Sequence, residues 1–197
     1  MAEGEHIMLI YAKDCRYKLF LKTIPGDKPG WYKWYAPIES VNVLLNSSHI
    51  EGKFFEDILP LLSKIEHEGK AYYCIYVGQA VKESIRARLD WHVNQKHTRT
   101  AVESGFLSTF RKTIASLITG DQMDEVATND LIDTLVVDYY SVDFIIKSDE
   151  ARKVIDGIER YEMNNIVSPL NIQGNKRVEV MAFKKELMRV RKNAKKG

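Results

Sequence analysis

The fold is decided by Cys74-Ile75-Tyr76-Val77-Gly78-Gln79-Ala80, which is followed by Ile85-Arg86-Ala87-Arg88-Leu89-Asp90-Trp91-His92. Residues 72–77 are aromatic or β-branched without a charged interruption, which predicts a buried strand. Gly78 ends this strand, and a glycine there lets the backbone turn sharply and lets a ligand approach closely. The two stretches therefore predict a strand, a glycine turn and a helix.

The predicted helix has one side that faces the strand. At about 100° per residue, Leu89, His92 and Val93 fall on the same side as Ile85. Arg88 lies at the edge of that side and is a surface neighbour of His92, four residues on. Taken alone, such a pair is a core histidine beside a surface arginine. The other motifs of the chain make it a candidate for a functional pair.

Composition indicates a globular protein. The chain has 197 residues, of which 45% are hydrophobic and 28% charged, as in one ordinary or elaborated domain. No apolar run approaches the roughly 20 residues that span a bilayer, so we expect no membrane association. Cys15 and Cys74 form no disulfide framework and lack metal-ligand spacing. With no recognisable signal peptide, a reducing cytoplasm is the expected location.

The net charge of +2 is unevenly distributed. Residues 184–197 carry seven basic side chains and one acidic, and residues 82–112 carry seven basic and three acidic. Residues 121–150 carry one basic and nine acidic. A nucleic-acid partner would contact the basic segments while the acidic segment faces away. The candidate DNA-contacting residues are Lys82, Arg86, Lys96, Arg99, Lys184 and Lys185.

Patterning along the rest of the chain predicts the remaining elements. Strands are expected over residues 7–11, 17–24, 30–35, 41–45, 72–77, 142–146 and 178–183. Helices are expected over residues 54–67, with Pro60 as a kink, 103–118, 131–137 and 148–164. Ser148 is a predicted N-cap, and residues 184–197 form either a basic helix or a loose tail.

Five motifs occur in an order that resembles one family. Gly30-Trp31-Tyr32 begins one predicted strand and Tyr76-Val77-Gly78 ends another, and Arg88-Leu89-Asp90-Trp91-His92 follows the second. Ile158-Glu159-Arg160-Tyr161 and Pro169-Leu170-Asn171 come later, on a helix and at its end. Together they resemble the GIY-YIG nucleases, with tryptophan and valine in place of the two isoleucines that name the family.

The resemblance implies an α+β fold with a small central sheet of mixed or antiparallel strands, flanked by helices. We expect one domain over residues 1–183, with a motif core at about 30–175 and a basic tail at 184–197. Tyr32 and Tyr76 are 44 residues apart, farther than is usual in the family. This gap is expected to hold an inserted helix at about residues 53–68.

The resemblance also implies metal-dependent hydrolysis of DNA phosphodiester bonds. This chemistry needs an activated water and positive charge on the scissile phosphate, and an arginine offers a fixed fork of donors to a phosphate. The residues implied as catalytic are Tyr32 as the base, Tyr76 and His92 as assistants, Arg88 on the phosphate, Glu159 on Mg²⁺ or Mn²⁺, and Asn171 in a positioning role.

Two glutamates compete as the metal ligand. Glu159 has the local pattern of the family and lies 12 residues before Asn171. Periodicity instead favours Glu162, which falls between Ile155 and Ile158 inside the apolar stripe. A buried carboxylate is costly without compensation, so both are candidates. We choose Glu159 because its spacing to Asn171 fixes where the helix end meets the turn, whereas the stripe is only a rough angular guide. A position at the margin of the stripe also leaves room for a hydrated Mg²⁺.

Within the family, a short chain with inserts between the motifs and no zinc finger most resembles the type II restriction endonucleases. Such enzymes often act as dimers because two-fold DNA sites favour two-fold proteins, so a homodimer is an expectation. The alternative is a nucleic-acid-binding module on the same scaffold that no longer cleaves.

Overall fold

The computed structural model describes residues 6–194. Its strands are β1 (His6–Tyr11), β2 (Gly30–Pro37), β3 (Lys64–His67), β4 (Lys70–Ala80) and β5 (Val136–Ser141). Its helices are α1 (Lys18–Leu21), α2 (Ile38–Leu45), α3 (Phe55–Ile58), α4 (Ile85–Asn94), α5 (Arg99–Glu103), α6 (Thr109–Ile118), α7 (Glu125–Ile132), α8 (Asp149–Asn165) and α9 (Met181–Ala194). Short 3₁₀ turns cover Ala12–Arg16, Leu59–Leu61 and Val178–Val180.

The five strands form one sheet in the order β1-β5-β2-β4-β3, in which every pair is antiparallel. This confirms the predicted α+β fold with a small sheet flanked by helices. β2 lies at the centre and β4 beside it, so the two strands that carry the tyrosine motifs are neighbours.

The register between β2 and β4 brings the two motifs together despite their separation in sequence. Tyr32 lies opposite Gly78, and Trp34 lies opposite Tyr76. Residues two apart on a strand project from the same face of the sheet. Tyr32 and Tyr76 are therefore diagonal neighbours on one face.

The two faces of the sheet are buried against different helices. One face, with Tyr32 and Ile75, packs into the main core together with α4, α6 and α9. The other, with Tyr35 and Cys74, packs on α8 through Met163. The functional helices α4 and α8 therefore approach β4 from opposite sides.

The inserted helix predicted at residues 53–68 is wrong in its second half. Only Phe55–Ile58 is α-helical, the Leu59–Leu61 turn follows, and β3 occupies Lys64–His67. Pro60 lacks the N–H that a continuing helix needs. The chain then pairs with the start of β4 as the edge strand of the sheet.

Several short apolar runs also adopt a different structure from the predicted one. Residues 17–24 contain α1, residues 41–45 lie in α2, and residues 178–183 form a turn and the first residues of α9. Residues 142–146 follow β5, which begins in the region predicted as helix 131–137. The predicted tail boundary at residue 184 falls inside α9, whose buried Phe183, Leu187 and Val190 pack in the main core.

Candidate active site

A buried chain of hydrogen bonds joins β2, α4 and the start of α6. The Tyr32 hydroxyl lies 2.6 Å from His92 Nε2, and His92 Nδ1 lies 2.6 Å from Ser108 Oγ. All three side chains are almost wholly buried. Ser108 is also the N-cap of α6, where its oxygen accepts from the Arg111 N–H. The start of α6 thus orients the imidazole that contacts Tyr32.

Tyr76 shares this aromatic cluster. Its ring centroid lies 6.4 Å from that of Tyr32, 6.3 Å from that of His92 and 5.1 Å from that of Phe110. The Trp34 ring centroid lies 6.3 Å from that of the same imidazole. These aromatic rings pack around His92, which is 2% exposed, and exclude water from it.

Gly78 makes room for the Tyr32 hydroxyl. A Cβ atom built on Gly78 would collide with the Tyr32 hydroxyl and ring. A glycine is therefore required opposite Tyr32 for a steric reason rather than for a positive φ angle. This explains why the glycine ends the second tyrosine motif.

Arg88 lies at the rim of the same cluster. Its Nη2 atom is 2.7 Å from the Glu83 carboxylate, and its guanidinium carbon lies 4.8 Å from the centre of the Trp91 ring. Its side chain is 20% exposed. Arg88 Nε is buried without a hydrogen-bond partner in the part of the chain that the structure describes. The guanidinium is held in place while a donor remains unused.

The tyrosines and the histidine have shifted pKa values. Burial raises the pKa of Tyr32 well above its ordinary value, although the Arg88 charge opposes the shift. Burial and the nearby Glu159 raise the pKa of Tyr76 to about 12, against the Arg88 and Arg191 charges. Burial, Arg88 and Arg111 hold the pKa of His92 well below its ordinary range. His92 is therefore neutral at physiological pH, and both tyrosines are protonated.

Glu159 lines a cavity of about 400 Å³ at the end of β4, together with Gln79, Asp156 and Lys176. Burial, and secondarily the Asp156 charge, raise the pKa of Glu159 to about 7. The Arg88 charge acts in the opposite direction. Glu159 is a half-buried carboxylate with no ion pair among residues 6–194.

Glu162, the alternative ligand, is already neutralised. Its carboxylate lies 3.4 Å from Lys33 Nζ, and the two side chains are 19% and 12% exposed. Lys33 is also placed over the Tyr140 ring, 5.5 Å from its centre. Periodicity predicts that Glu162 points inward, and the cost of burying its carboxylate is offset by the charge of Lys33 on β2.

Asn171 contacts the backbone of β4. Its Nδ2 donates to the Val77 carbonyl at 2.7 Å, and its Oδ1 accepts from the Val77 N–H at 2.8 Å. Leu170 N–H donates to the Ile75 carbonyl at 3.0 Å. The turn after α8 therefore pairs with the edge of β4 beyond β3. Asn171 fixes the backbone between Tyr76 and Gly78.

The predicted DNA-contacting residues lie in different environments. Arg86 donates to the Ile24 and Lys22 carbonyls, and Lys184 donates to the Asn175 carbonyl. Lys96 pairs with Glu125, and Arg99 lies 4.0 Å from Glu103. Lys82 and Lys185 are exposed. Their contact with DNA remains a prediction.

The sequence reasoning missed three residues near this site. Ser108 had only a serine followed by an apolar helix as its signal, which indicates an N-cap. Asp156 is three residues before Glu159 on the same helix, a spacing that places them side by side. Arg191 on α9 had no local signal, because only tertiary packing brings its charge within reach of Tyr76.

The residues around Glu159 suit a hydrated divalent cation. No group of three or more His, Cys, Asp or Glu side chains in residues 6–194 is arranged to hold a metal. Asp156 lines the same cavity, however, and Gln79 Oε1 is a buried oxygen without a partner among those residues. Few protein oxygens and an open cavity fit Mg²⁺, which keeps several waters.

Comparison with known proteins identifies the family. A model of the GIY-YIG catalytic domain matches residues 30–193. No curated protein and no solved structure gives a significant match. No helix in residues 6–194 is long and apolar enough to cross a membrane. Because the match covers most of the chain, from the first tyrosine motif almost to the end of α9, the chain belongs to the GIY-YIG nuclease family, and its catalytic domain is that of an endonuclease, a phosphodiester hydrolase.

Proposed function

We propose that this chain is a metal-dependent endonuclease that hydrolyses DNA phosphodiester bonds. The observation that carries the proposal is the convergence of Tyr32, Tyr76 and His92, with the Arg88 and Glu159 charges near enough to shift the pKa values of both tyrosines. These residues come from β2, β4, α4 and α8, and the closest contact among them is the 2.6 Å hydrogen bond between Tyr32 and His92.

Each residue has a role that fits its environment. Arg88 binds the scissile phosphate, exchanging its pairing with Glu83 for the fork of donors that a phosphate accepts. Glu159, with Asp156 and Gln79 nearby, holds Mg²⁺, which when bound supplies positive charge at the phosphate oxygens. Asn171 is a positioning residue, since both ends of its amide bond the Val77 backbone.

Tyr32 is the proposed base, and its burial requires that its anion be stabilised. Ser108 Oγ accepts from the Arg111 N–H, and we propose that Ser108 donates its own proton to His92 Nδ1. His92 then carries its proton on Nε2 and donates it to the Tyr32 oxygen. A fixed N–H donor and the Arg88 charge both favour the phenolate. The hydroxyl proton of Tyr32 is lost to solvent, and the phenolate then takes a proton from the attacking water.

A plasmid-nicking assay tests this function. Purified protein is incubated with supercoiled plasmid in Mg²⁺, in Mn²⁺ and in EDTA. We expect nicked and linear products with either metal and none in EDTA. Binding of DNA without cleavage under every metal condition would contradict the nuclease and favour a non-cleaving module on the same scaffold.

The Ser108 interaction predicts a change in the pH dependence of cleavage. Ser108→Ala removes the hydroxyl that selects the His92 tautomer, so the pKa of Tyr32 should rise. We expect the ascending limb of the pH–rate profile to shift to higher pH by about one unit. The free energy of one hydrogen bond, about 1 kcal/mol, is close to the roughly 1.4 kcal/mol of one pKa unit. The measurement is the single-turnover cleavage rate against pH.

Ser148→Ala is the matched control. Ser148 caps α8 by accepting from the Ala151 N–H, as Ser108 caps α6, but within residues 6–194 it has no histidine partner. Both variants should lose about 1 kcal/mol of stability with the helix cap. Only Ser108→Ala should shift the ascending limb of the pH–rate profile. Superimposable pH profiles for Ser108→Ala and wild type would exclude the positioning role.

We further propose a place among the type II restriction endonucleases. The support is the insertion between the tyrosine motifs, where α2, α3 and β3 separate β2 from β4. Digestion of mixed genomic DNA followed by sequencing of the ends should give one short recurrent site. The two-fold symmetry of such a site would support a homodimer, and randomly distributed ends would exclude this subtype.

A further inference from the structure

A second cavity lies on the α9 side of the active-site cluster. It has a volume of about 260 Å³. Three basic side chains line it, and no carboxylate does so in the part of the chain that the structure describes. The basic residues are Lys112 on α6 and Arg191 and Lys192 on α9.

Arg191 connects this cavity with the active site. Its charge lies near enough to Tyr76 to lower the pKa of that hydroxyl, as the Arg88 charge also does. Ile172, which lines the cavity, directly follows Asn171 at the edge of β4. The cavity therefore lies near Tyr76, whose pKa the Arg88 charge also lowers.

Arg191 is a half-buried cation without compensation. Its guanidinium makes no hydrogen bond or ion pair within residues 6–194, and burial lowers its pKa. Desolvating a cation without a partner costs free energy. By contrast, Arg189, two residues earlier on α9, pairs with Glu186 at 2.7 Å. An anionic ligand would supply the negatively charged partner that Arg191 lacks within residues 6–194.

The surroundings hold the basic groups in place. Gln122 Nε2 donates to the Arg191 carbonyl at 2.9 Å, which fixes α9 beside the cavity. Lys112 Nζ donates to the Gly105 carbonyl at 2.5 Å. An ammonium group has three donors, so Lys112 could also bind a ligand while keeping this contact.

We propose that the cavity lined by Lys112, Arg191 and Lys192 binds a backbone phosphate of the DNA next to the phosphate that is cleaved. The inference rests on the proposed action on DNA. A phosphate fits because it is a compact anion that accepts from both guanidinium and ammonium groups. Arg88 would then hold the scissile phosphate and Arg191 its neighbour.

Deletion of the basic end of the chain is not a suitable test. A truncation at Lys184 would remove Leu187 and Val190 from the main core, which would destabilise the whole domain. Single substitutions that remove charge are therefore required. Arg191→Gln removes the charge and keeps most of the side-chain volume.

The test measures binding to a fluorescein-labelled DNA duplex by anisotropy in EDTA, where no cleavage occurs, between about 50 and 200 mM salt. We expect Arg191→Gln to make the slope of log K against log salt shallower by about 0.9, the value for one phosphate contact. Arg191→Lys should keep the wild-type slope. Lys70→Gln, which removes a charge from the far end of β4, should also keep it.

An unchanged slope in Arg191→Gln, or a wild-type chain that does not bind the duplex, would overturn the phosphate site. A thermal melt of each variant establishes that it is folded. Plasmid nicking by the wild type in Mg²⁺ is measured in parallel. A reduced slope without wild-type nicking would support the phosphate site and reject the nuclease proposal, whereas nicking with an unchanged slope would reject the phosphate site alone.

Discussion

Replacing Arg88 with alanine is expected to lower the single-turnover rate of DNA cleavage by about 10³-fold, the cost of removing one strong donor from the site of developing charge. The Arg88 charge lowers the pKa values of Tyr32, Tyr76 and Glu159. Loss of Arg88 removes the positive charge that contacts the phosphate. It also removes the charge that lowers the pKa values of both tyrosines, which should therefore rise further. The rate is measured with protein in excess over DNA, so that weaker binding does not mimic slower chemistry.

The fold should survive this change. Arg88 contacts Glu83 and Trp91 at the rim of the cluster, and the loss of this partly exposed ion pair should cost about 1 kcal/mol. Arg88→Lys keeps the charge without the planar fork and should recover only part of the rate. Asp90→Ala, which removes an exposed charge from the same helix, should keep the rate within a few-fold. Wild-type turnover by Arg88→Ala would refute the assignment of this cluster as the active site.

The parts of the fold that the sequence predicts well are those with clear periodicity and with glycine, proline or capping residues at their ends. β2 begins at Gly30 and ends at Pro37, and α8 begins after the Ser148 cap. In each case, local chemistry and the tertiary position favour the same structure. The four predicted residues Tyr32, Tyr76, Arg88 and His92 consequently lie together, because β2, β4 and α4 were predicted in the right regions. The predicted end of β4 at Gly78 was wrong, since the strand pairs with β2 as far as Ala80.

Short β-branched runs were misread because packing, rather than propensity, decides them. Val41, Leu44 and Leu45 are apolar enough for a strand, yet their spacing buries one face of α2 against the core. Val178 and Val180 precede a stripe in α9 that continues through Phe183 and Leu187. That stripe crosses the expected boundary at Lys184, which was drawn from charge alone.

The contacts that define the site are long-range, so no local pattern reveals them. Ser108 and His92 are 16 residues apart, and Lys33 and Glu162 are 129 apart. The Lys33 contact bears on the choice of metal ligand, because periodicity measures burial but cannot identify the partner of a buried charge. A carboxylate in the apolar stripe is functional only if no cation of the fold neutralises it.

Glu159→Gln is expected to fold and to bind DNA, yet to cleave at no Mg²⁺ concentration. Glu159 is a half-buried carboxylate that lacks an ion pair within residues 6–194, and it shares a cavity with Asp156 and Gln79. Glutamine keeps the shape and removes the charge that holds the ion. The measurement is cleavage across a Mg²⁺ titration, together with duplex binding in EDTA.

Glu162→Gln is the matched control, one helical turn away on α8. It breaks the pairing with Lys33 and should cost stability, because Lys33 is left half-buried and unpaired. Cleavage should nevertheless persist at saturating Mg²⁺. The reverse result would move the metal to Glu162 and leave the family unchanged, whereas full activity in both variants would exclude the mechanism proposed above.

Stability without metal provides a second measurement of the same carboxylate. Its pKa is raised from an ordinary 4.5 to about 7 in the folded protein, so between these values the unfolded chain ionises Glu159 and the folded chain does not. The free energy of unfolding therefore falls as pH rises through this window. In EDTA at pH 8, Glu159→Gln should be more stable than wild type by as much as about 3 kcal/mol, since each pKa unit is worth about 1.4 kcal/mol. Near pH 4 the two should be equally stable.

Mg²⁺ should raise the melting temperature of the wild type at pH 8 and leave that of Glu159→Gln unchanged. A cation that binds the carboxylate only in the folded state stabilises only the protein that carries this carboxylate. Equal metal-free stabilities at pH 8 would mean that Glu159 ionises without cost, and the reason for preferring it to Glu162 would be lost.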